Sequence, residues 1–404
     1  METIHLSKEQ LKSFLVSYQG LSSPSEFEGV EGIIKLFKRL GSIQYDPLNV
    51  IGKNADLVLQ SRIPEYRESI LREMLYHDRT LIDGWDKMMS IYLTTDFPYF
   101  HHIRKAKDRD VLSTLGYRNH LESINFVDHV IDYIKDNGPT YPKDINLGSV
   151  EKGIWGHGKI ASVVCDYLWN IGRLGIVEKN NVIKKFDLIE NLIDEKLILE
   201  DPLSDMNDFL KWYVLRRIGS IGIYWSNSGP GWYNHFIYKE KLRKPIIKQL
   251  VEEKKLIHIK VSGMKEDFYI RSEDVEILNR AQNDVKKIKF LAPLDNLLWD
   301  RKFLLQVFDF DYTWEVYVKE ENRKYGYYVI PVLYGNDLIA RFEPAGKRSL
   351  NDFSIKNWWW EDSVTPTKEM IEEIGSAFNN LTEFIGVKKI PKKEIKDLLG
   401  KTHD

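Results

Sequence analysis

The 404-residue chain is 43% hydrophobic and 29% charged, with a net charge of −2, an ordinary globular composition with room for roughly two to four domains. No uninterrupted apolar run approaches the roughly 18 residues of a membrane span, and the opening METIHLSKEQ lacks the apolar core of a secretory signal. A single cysteine, Cys165, excludes an internal disulfide framework, a thiolate zinc cluster and a cysteine-ligated iron–sulfur site. A reducing cytoplasm and no membrane association are the expected setting.

Ser7 with Gln10 forms a capping-box pattern, and Leu11, Phe14, Leu15 and Tyr18 follow at helical spacing. Ile33, Ile34, Phe37 and Leu40 mark a second helix stopped by Gly41. The short run Ser42-Ile43-Gln44-Tyr45-Asp46 comes next, ahead of Pro47.

A degenerate repeat occupies the middle of the chain. An amphipathic helix from Phe126 to Gly138 precedes one marked by Ile160, Val163, Val164, Tyr167, Leu168 and Ile171. Two apolar stretches, Gly175–Val177 and Val182-Ile183, then flank an Asn180-Asn181 turn. The order returns with a helix at Trp212–Ile218 and another carrying Ile246, Ile247, Leu250 and Val251, with Pro245 expected near its start. Leu256–Ile259, a turn at Ser262-Gly263 and Phe268–Ile270 complete it. Helix, turn, helix and two-stranded hairpin is the winged-helix plan, whose second helix commonly enters the major groove of DNA. A tandem protein-interaction module would show the same order.

Charge is segregated along this region. Eight acids between Phe186 and Leu210 face Lys196 alone, whereas Tyr238 to Val261 carries eight Lys or Arg against three Glu. A local basic stripe serves a polyanion even when the whole chain is neutral, although solvated surface faces give the same pattern.

From about Leu291 the period changes to two. Trp314, Val316 and Val318 alternate with polar residues, and Tyr327–Ile330, Val332–Tyr334 and Leu338–Ala340 follow, the last pair separated by a Gly335-Asn336-Asp337 turn. These predict a small antiparallel sheet or barrel, closed by a helix near Lys368–Phe384 and a lysine-rich tail from Lys388 to Lys396. The expected fold class is α+β: tandem winged-helix domains at 1–122, 123–200 and 201–280, then a C-terminal β-barrel at 281–404.

Several motifs carry little chemistry. Gly153 to Lys159 has P-loop spacing, but Ile160 stands where a magnesium-binding hydroxyl belongs. His101-His102 lacks an HExxH-type partner, and Asp309 with Asp311 reads as structural. Gln44-Tyr45-Asp46 differs. In extended chain Gln44 and Asp46 project from one side, and an amide beside a carboxylate can orient and activate a single water. The same Asp46-Pro47 pair also reads as a helix N-cap followed by proline.

The stretch from Leu40 to Tyr66, taken with Gln19-Gly20-Leu21, resembles the bacterial winged-helix DNA glycosylases of the AlkZ/YcaQ type. So do LAPLDNLLWDR (Leu291–Arg301), Lys324–Pro331, Gly335–Asp337 and Arg341. The resemblance implies three tandem winged helices and a β-barrel that together bind DNA. It also implies a Gln-x-Gln/Asp catalytic motif, which here is Gln44-Tyr45-Asp46. Three departures stand out: Tyr45 replaces a usually aliphatic residue, Lys53-Asn54-Ala55 stands where Arg-Ala-His is frequent, and Trp85-Asp86-Lys87 where Trp-x-His is frequent.

The implied activity is hydrolysis of the N-glycosidic bond of cationic alkylated purines, as N7-alkylguanine monoadducts or interstrand crosslinks in double-stranded DNA. Asp46 would stabilise an oxocarbenium-like sugar and activate water, with Gln44 positioning that water. No metal or cofactor is called for, nor a lysine Schiff base, so a monofunctional and monomeric enzyme is expected. Candidate DNA contacts are Lys53, Arg62, Lys159, Arg243, Lys244, Lys248, Arg323 and Lys324. The alternative is a winged-helix regulator without catalysis, in which Gln44 and Asp46 only cap a helix.

Overall fold

The computed structural model describes residues 3–22, 25–148, 159–281, 286–349, 352–388 and 395. The chain forms two compact units, one made of Met1–Glu68 and Leu210–Asp404, the other of Ser69–Phe209. Helices and strands mix throughout both, an α+β architecture. Most of the P-loop-like stretch and of the lysine-rich tail lies outside the described residues.

The first unit opens with a strand the sequence pattern does not announce. Thr3–Leu6 pairs in parallel with Leu256–Val261, extending a sheet whose further strands are Phe268–Arg271 and Ile223–Trp225. The expected hairpin is therefore present, but as the centre of four strands. Helix Lys8–Tyr18 follows with its capping box complete: Ser7 Oγ accepts from Gln10 N, and Gln10 Oε1 accepts from Ser7 N. Helix Glu240–Glu252 starts five residues before Pro245, not at it. Proline there lies past the first turn, the only part of a helix whose N–H groups lack an internal acceptor, so the helix forgoes one i→i−4 bond at this position.

The C-terminal strands Ile288–Phe290, Ile330–Tyr334, Asp337–Ser349 and Asp352–Trp360 form one antiparallel sheet in sequence order. Among the described residues the two edges do not pair, so the sheet is open rather than a closed barrel. Helix Lys368–Phe384 lies on it, with Phe378 packed against Phe290 at 4.7 Å and Phe342 at 5.2 Å. The alternating segment from Trp314 to Lys319 is not a strand. It holds a single 3-10 turn, Glu315–Tyr317, because the buried residue is Glu315 while Tyr317 points outward.

In the second unit, helices Val127–Asn137 and Ile160–Asn170 pack with the hairpin of Leu174–Asn180 and Ile183–Leu188 around Val130, Val164, Leu168 and Phe186. Asn181 takes φ +53° in the hairpin turn, a left-handed conformation asparagine adopts readily. Cys165 is part of this core, where burial pushes its thiol pKa up to about 12. It is a packing residue, as its helical position suggests. No described helix is long and apolar enough to cross a membrane.

Candidate active site

Helix Gly29–Leu40 ends on Gly41 at φ +78°. A side chain there would be strained by the backbone and would press against Arg216, 3.1 Å from its Cγ. Arg216 Nη2 donates to Gly41 O at 2.7 Å, so the turn is clamped where the chain enters strand Ser42–Gln44. All three strand residues are buried, as is Tyr45. Two side-chain amides fix the strand's backbone: Asn296 Nδ2 donates to Ser42 O at 3.0 Å, and Asn54 Nδ2 to Gln44 O at 2.8 Å. Asn54 Oδ1 in turn accepts Leu294 N at 3.0 Å. The catalytic-type motif is thereby tied to the LAPLDN segment, distant in sequence.

Asp46 lies just past the strand and is half-buried. Its Oδ1 accepts Leu48 N at 2.8 Å, and among the described residues that is its one hydrogen bond. Burial lifts its pKa above the ordinary carboxylate value, with the Leu48 N–H pulling the other way. The N-cap reading fails here. No helix starts at Pro47, and the next one, Asn54–Gln60, begins eight residues beyond Asp46. The Asp46 charge acts on two tyrosines, the buried Tyr328 and the exposed Tyr317, raising both phenol pKa values beyond what burial does.

These tyrosines sit on a loop built around two buried carboxylates. Glu315 accepts three backbone N–H groups, from Lys324 at 2.7 Å, Tyr325 at 2.9 Å and Gly326 at 3.0 Å. Burial alone would raise the Glu315 pKa, but the three donors hold it below the usual range. Glu343 accepts Tyr327 N at 2.8 Å. Gly326 passes so close that a Cβ there would lie 2.4 Å from Glu343 Cδ, so a larger residue would displace the Glu343 carboxylate. Arg341, buried between the rings of Phe310 and Tyr325, donates to Glu361 and to Asp311 O. Tyr312 Oη donates to Val329 O at 2.9 Å and fixes the backbone beside Tyr328.

The cations proposed from sequence separate into two groups. Arg62 and Arg243 are buried and satisfied, which corrects their assignment as phosphate contacts. Arg62 pairs both terminal nitrogens with Asp295, each at 2.8 Å, and donates Nε to Gln19 O. Arg243 donates to Ser226 O, Ile237 O and Tyr238 O and lies over the Trp232 ring. Lys159, Lys244, Lys248 and Lys324 are exposed, and Lys53 and Arg323 half-buried. Lys244 pairs with Glu240 at 2.6 Å and Lys324 with Asp311 at 3.7 Å. Arg323 and Lys324 follow the turn Glu320–Asn322 and precede strand Ile330–Tyr334.

Asp300 caps helix Arg301–Phe308 and accepts Tyr224 Oη and Trp225 Nε1. Asp309 ends that helix at φ +55° and pairs with Lys8 at 2.8 Å. Spacing arguments missed Asn54, Asn296, Tyr317 and Tyr328. The LDN of Leu294–Asn296 carried the one usable signal, a polar pair inside an apolar run. A separate cavity of about 1010 Å³ is bounded by Ile51, Tyr66, Lys289 and Phe384 and excludes Gln44 and Asp46. Desolvation there pushes the Lys289 pKa down to about 8, with Arg62 adding to the effect.

A polar-buttressed strand delivering a half-buried carboxylate beside aromatic rings defines a candidate hydrolytic site on an α+β scaffold. The family model for DNA glycosylase AlkZ-like proteins matches residues 37–383, a span holding the motif and nearly the whole site, and the chain belongs to that family of DNA glycosylases. Among solved structures, the chain is similar to the Streptomyces sahachiroi DNA glycosylase AlkZ, with a TM-score of 0.66 and 14% identity over 96% of this chain and 99% of that one. At that identity the likeness concerns the fold.

Proposed function

We propose that this glycosylase hydrolyses the N-glycosidic bond of cationic alkylated purines in double-stranded DNA, with Asp46 and Gln44 as its catalytic pair. The observation that carries the reading is Asp46 itself. It is the half-buried carboxylate at the end of a fixed strand, and its Oδ2 accepts no hydrogen bond among the described residues. Alkylation at N7 of guanine or N3 of adenine puts positive charge on the base and makes it a good leaving group. The enzyme then needs only to stabilise an oxocarbenium-like sugar and deliver water.

A partly desolvated carboxylate does both better than one in bulk water, because its charge is less screened and its basicity higher. Gln44 positions the water through its amide. As the C1′–N bond breaks, its electron pair leaves with the purine, water adds to C1′, and Asp46 takes the water's proton. No step requires an amine nucleophile, so the proposed enzyme is monofunctional. The solvent-facing side of Asp46 and the exposed Tyr317 beside it suit bulky N7 adducts and crosslinked nucleotides, which a deep pocket would exclude.

The helix–helix–hairpin order at Val127–Asn137, Ile160–Asn170 and 174–188, and again at Met206–Ile221, Glu240–Glu252 and 256–271, supports reading these parts as winged-helix units. The proposed boundaries stay near 122, 200 and 280. Lys53, Lys159, Lys244, Lys248, Arg323 and Lys324 remain as proposed phosphate contacts. The test is release of 7-methylguanine from a duplex by wild type and Asp46→Asn, in which wild type excises the base and the variant does not. Equal release by the two proteins would remove Asp46 from the mechanism.

A further inference from the structure

We propose that Tyr317 is a stacking platform for a nucleobase of the bound duplex, presented at the mouth of the Asp46 site by the 315–328 loop. This rests on the glycosylase reading above and names the group that would hold an unstacked base there. Tyr317 is 80% exposed, whereas Tyr328 on the same loop and Tyr312 just before it are 3% and 2% exposed. Its ring contact among the described residues is an edge-on approach to Trp314 at 5.6 Å, which leaves a ring face open.

The backbone beneath the ring is fixed rather than loose. Val318 N donates to Glu315 O at 2.9 Å, Arg323 Nε donates to Val318 O at 2.9 Å, and the Glu315 carboxylate gathers the three N–H groups already described. A rigid aromatic side chain on a fixed turn loses little conformational freedom on binding. Tyr327, 38% exposed, neighbours it electrostatically, and the Arg323 guanidinium lies 5.1 Å from the Tyr327 ring centroid. The patch thus offers a π-face and a cation close together, the combination that binds unpaired bases and their phosphates. Partial desolvation and the Asp46 charge raise the Tyr317 phenol pKa further above neutral, so the ring meets a base as a neutral phenol.

The test uses the full chain and a duplex carrying 2-aminopurine opposite a tetrahydrofuran abasic analogue, with single-turnover release of 7-methylguanine as a second readout. Wild type and Tyr317→Phe are expected to quench 2-aminopurine fluorescence and bind alike. Tyr317→Ala should abolish the quenching and weaken binding roughly 10-fold or more. The exposed position leaves folding undisturbed. Quenching that survives in Tyr317→Ala, or that wild type never shows, overturns the stacking role even if wild type releases base normally. Tyr317-dependent quenching without base release by wild type would instead retain the platform and remove the glycosylase mechanism.

Discussion

Two carboxylates in the larger unit show how differently one fold treats the same chemical group. Asp295 is fully buried, gripped by both terminal nitrogens of Arg62, and also accepts Leu297 N at 3.0 Å. Asp46 is half-buried, has no cationic partner among the described residues, and accepts one backbone N–H. The first has three hydrogen bonds spent on structure and is sealed from any substrate by its burial. The second retains unfilled capacity at a place where burial makes its charge costly. Saturation, rather than charge or sequence spacing, separates the framework from the site.

That contrast can be broken by experiment, starting where the effect is largest. Asp295→Ala strands a buried guanidinium and is expected to lower unfolding stability by about 3–5 kcal/mol, read from the urea midpoint. A loss below about 1 kcal/mol would show that Arg62 finds other partners. Glu315→Gln removes the charge that three N–H groups converge on, with an expected loss of about 1–3 kcal/mol. Because the Glu315 pKa is depressed by folding, its contribution is present above the unfolded value near 4.3 and is lost as pH falls through the folded one. The gap between wild type and Glu315→Gln should therefore narrow on acidification.

Lys248, exposed on helix Glu240–Glu252 and 3.9 Å from Glu252, should be neutral to stability within about 0.5 kcal/mol when changed to Ala. As a phosphate contact it should reduce the salt dependence of DNA binding by about one unit in log–log slope; an unchanged slope would remove it from the interface. The smallest stability effect is expected at Asp46. Its folded pKa is raised, so the ionised form opposes folding, and that cost grows as pH rises through the unfolded value and levels off above the folded one. Asp46→Asn should be at least as stable as wild type at neutral pH, with the difference fading under acid. A clear destabilisation would make Asp46 a framework residue like Asp295.

Local rules made much of the framework legible. The Ser7–Gln10 capping box, the Gly41 helix stop and the Gly335 turn each depend on neighbouring residues, and each appears as read. What stayed hidden depends on partners far away in sequence. Arg62 and Arg243 look like surface cations until Asp295 and a ring of carbonyls close around them. Trp314–Lys319 alternates like a strand, but backbone donors from residues 324–326 draw Glu315 inward and wind the segment into a turn. The Gln44–Asp46 motif was readable by resemblance, whereas its support by Asn54 and Asn296 was not. An asparagine's role as a backbone clamp leaves no periodic trace.

The central claim is that Asp46 is held unsaturated for chemistry, and the direct test compares Asp46→Asn with wild type in single-turnover release of 7-methylguanine, with urea unfolding run on the same preparations. The account predicts that release falls by about 100-fold or more while stability is retained. Release that persists at the wild-type rate, or that disappears only together with the fold, would contradict it.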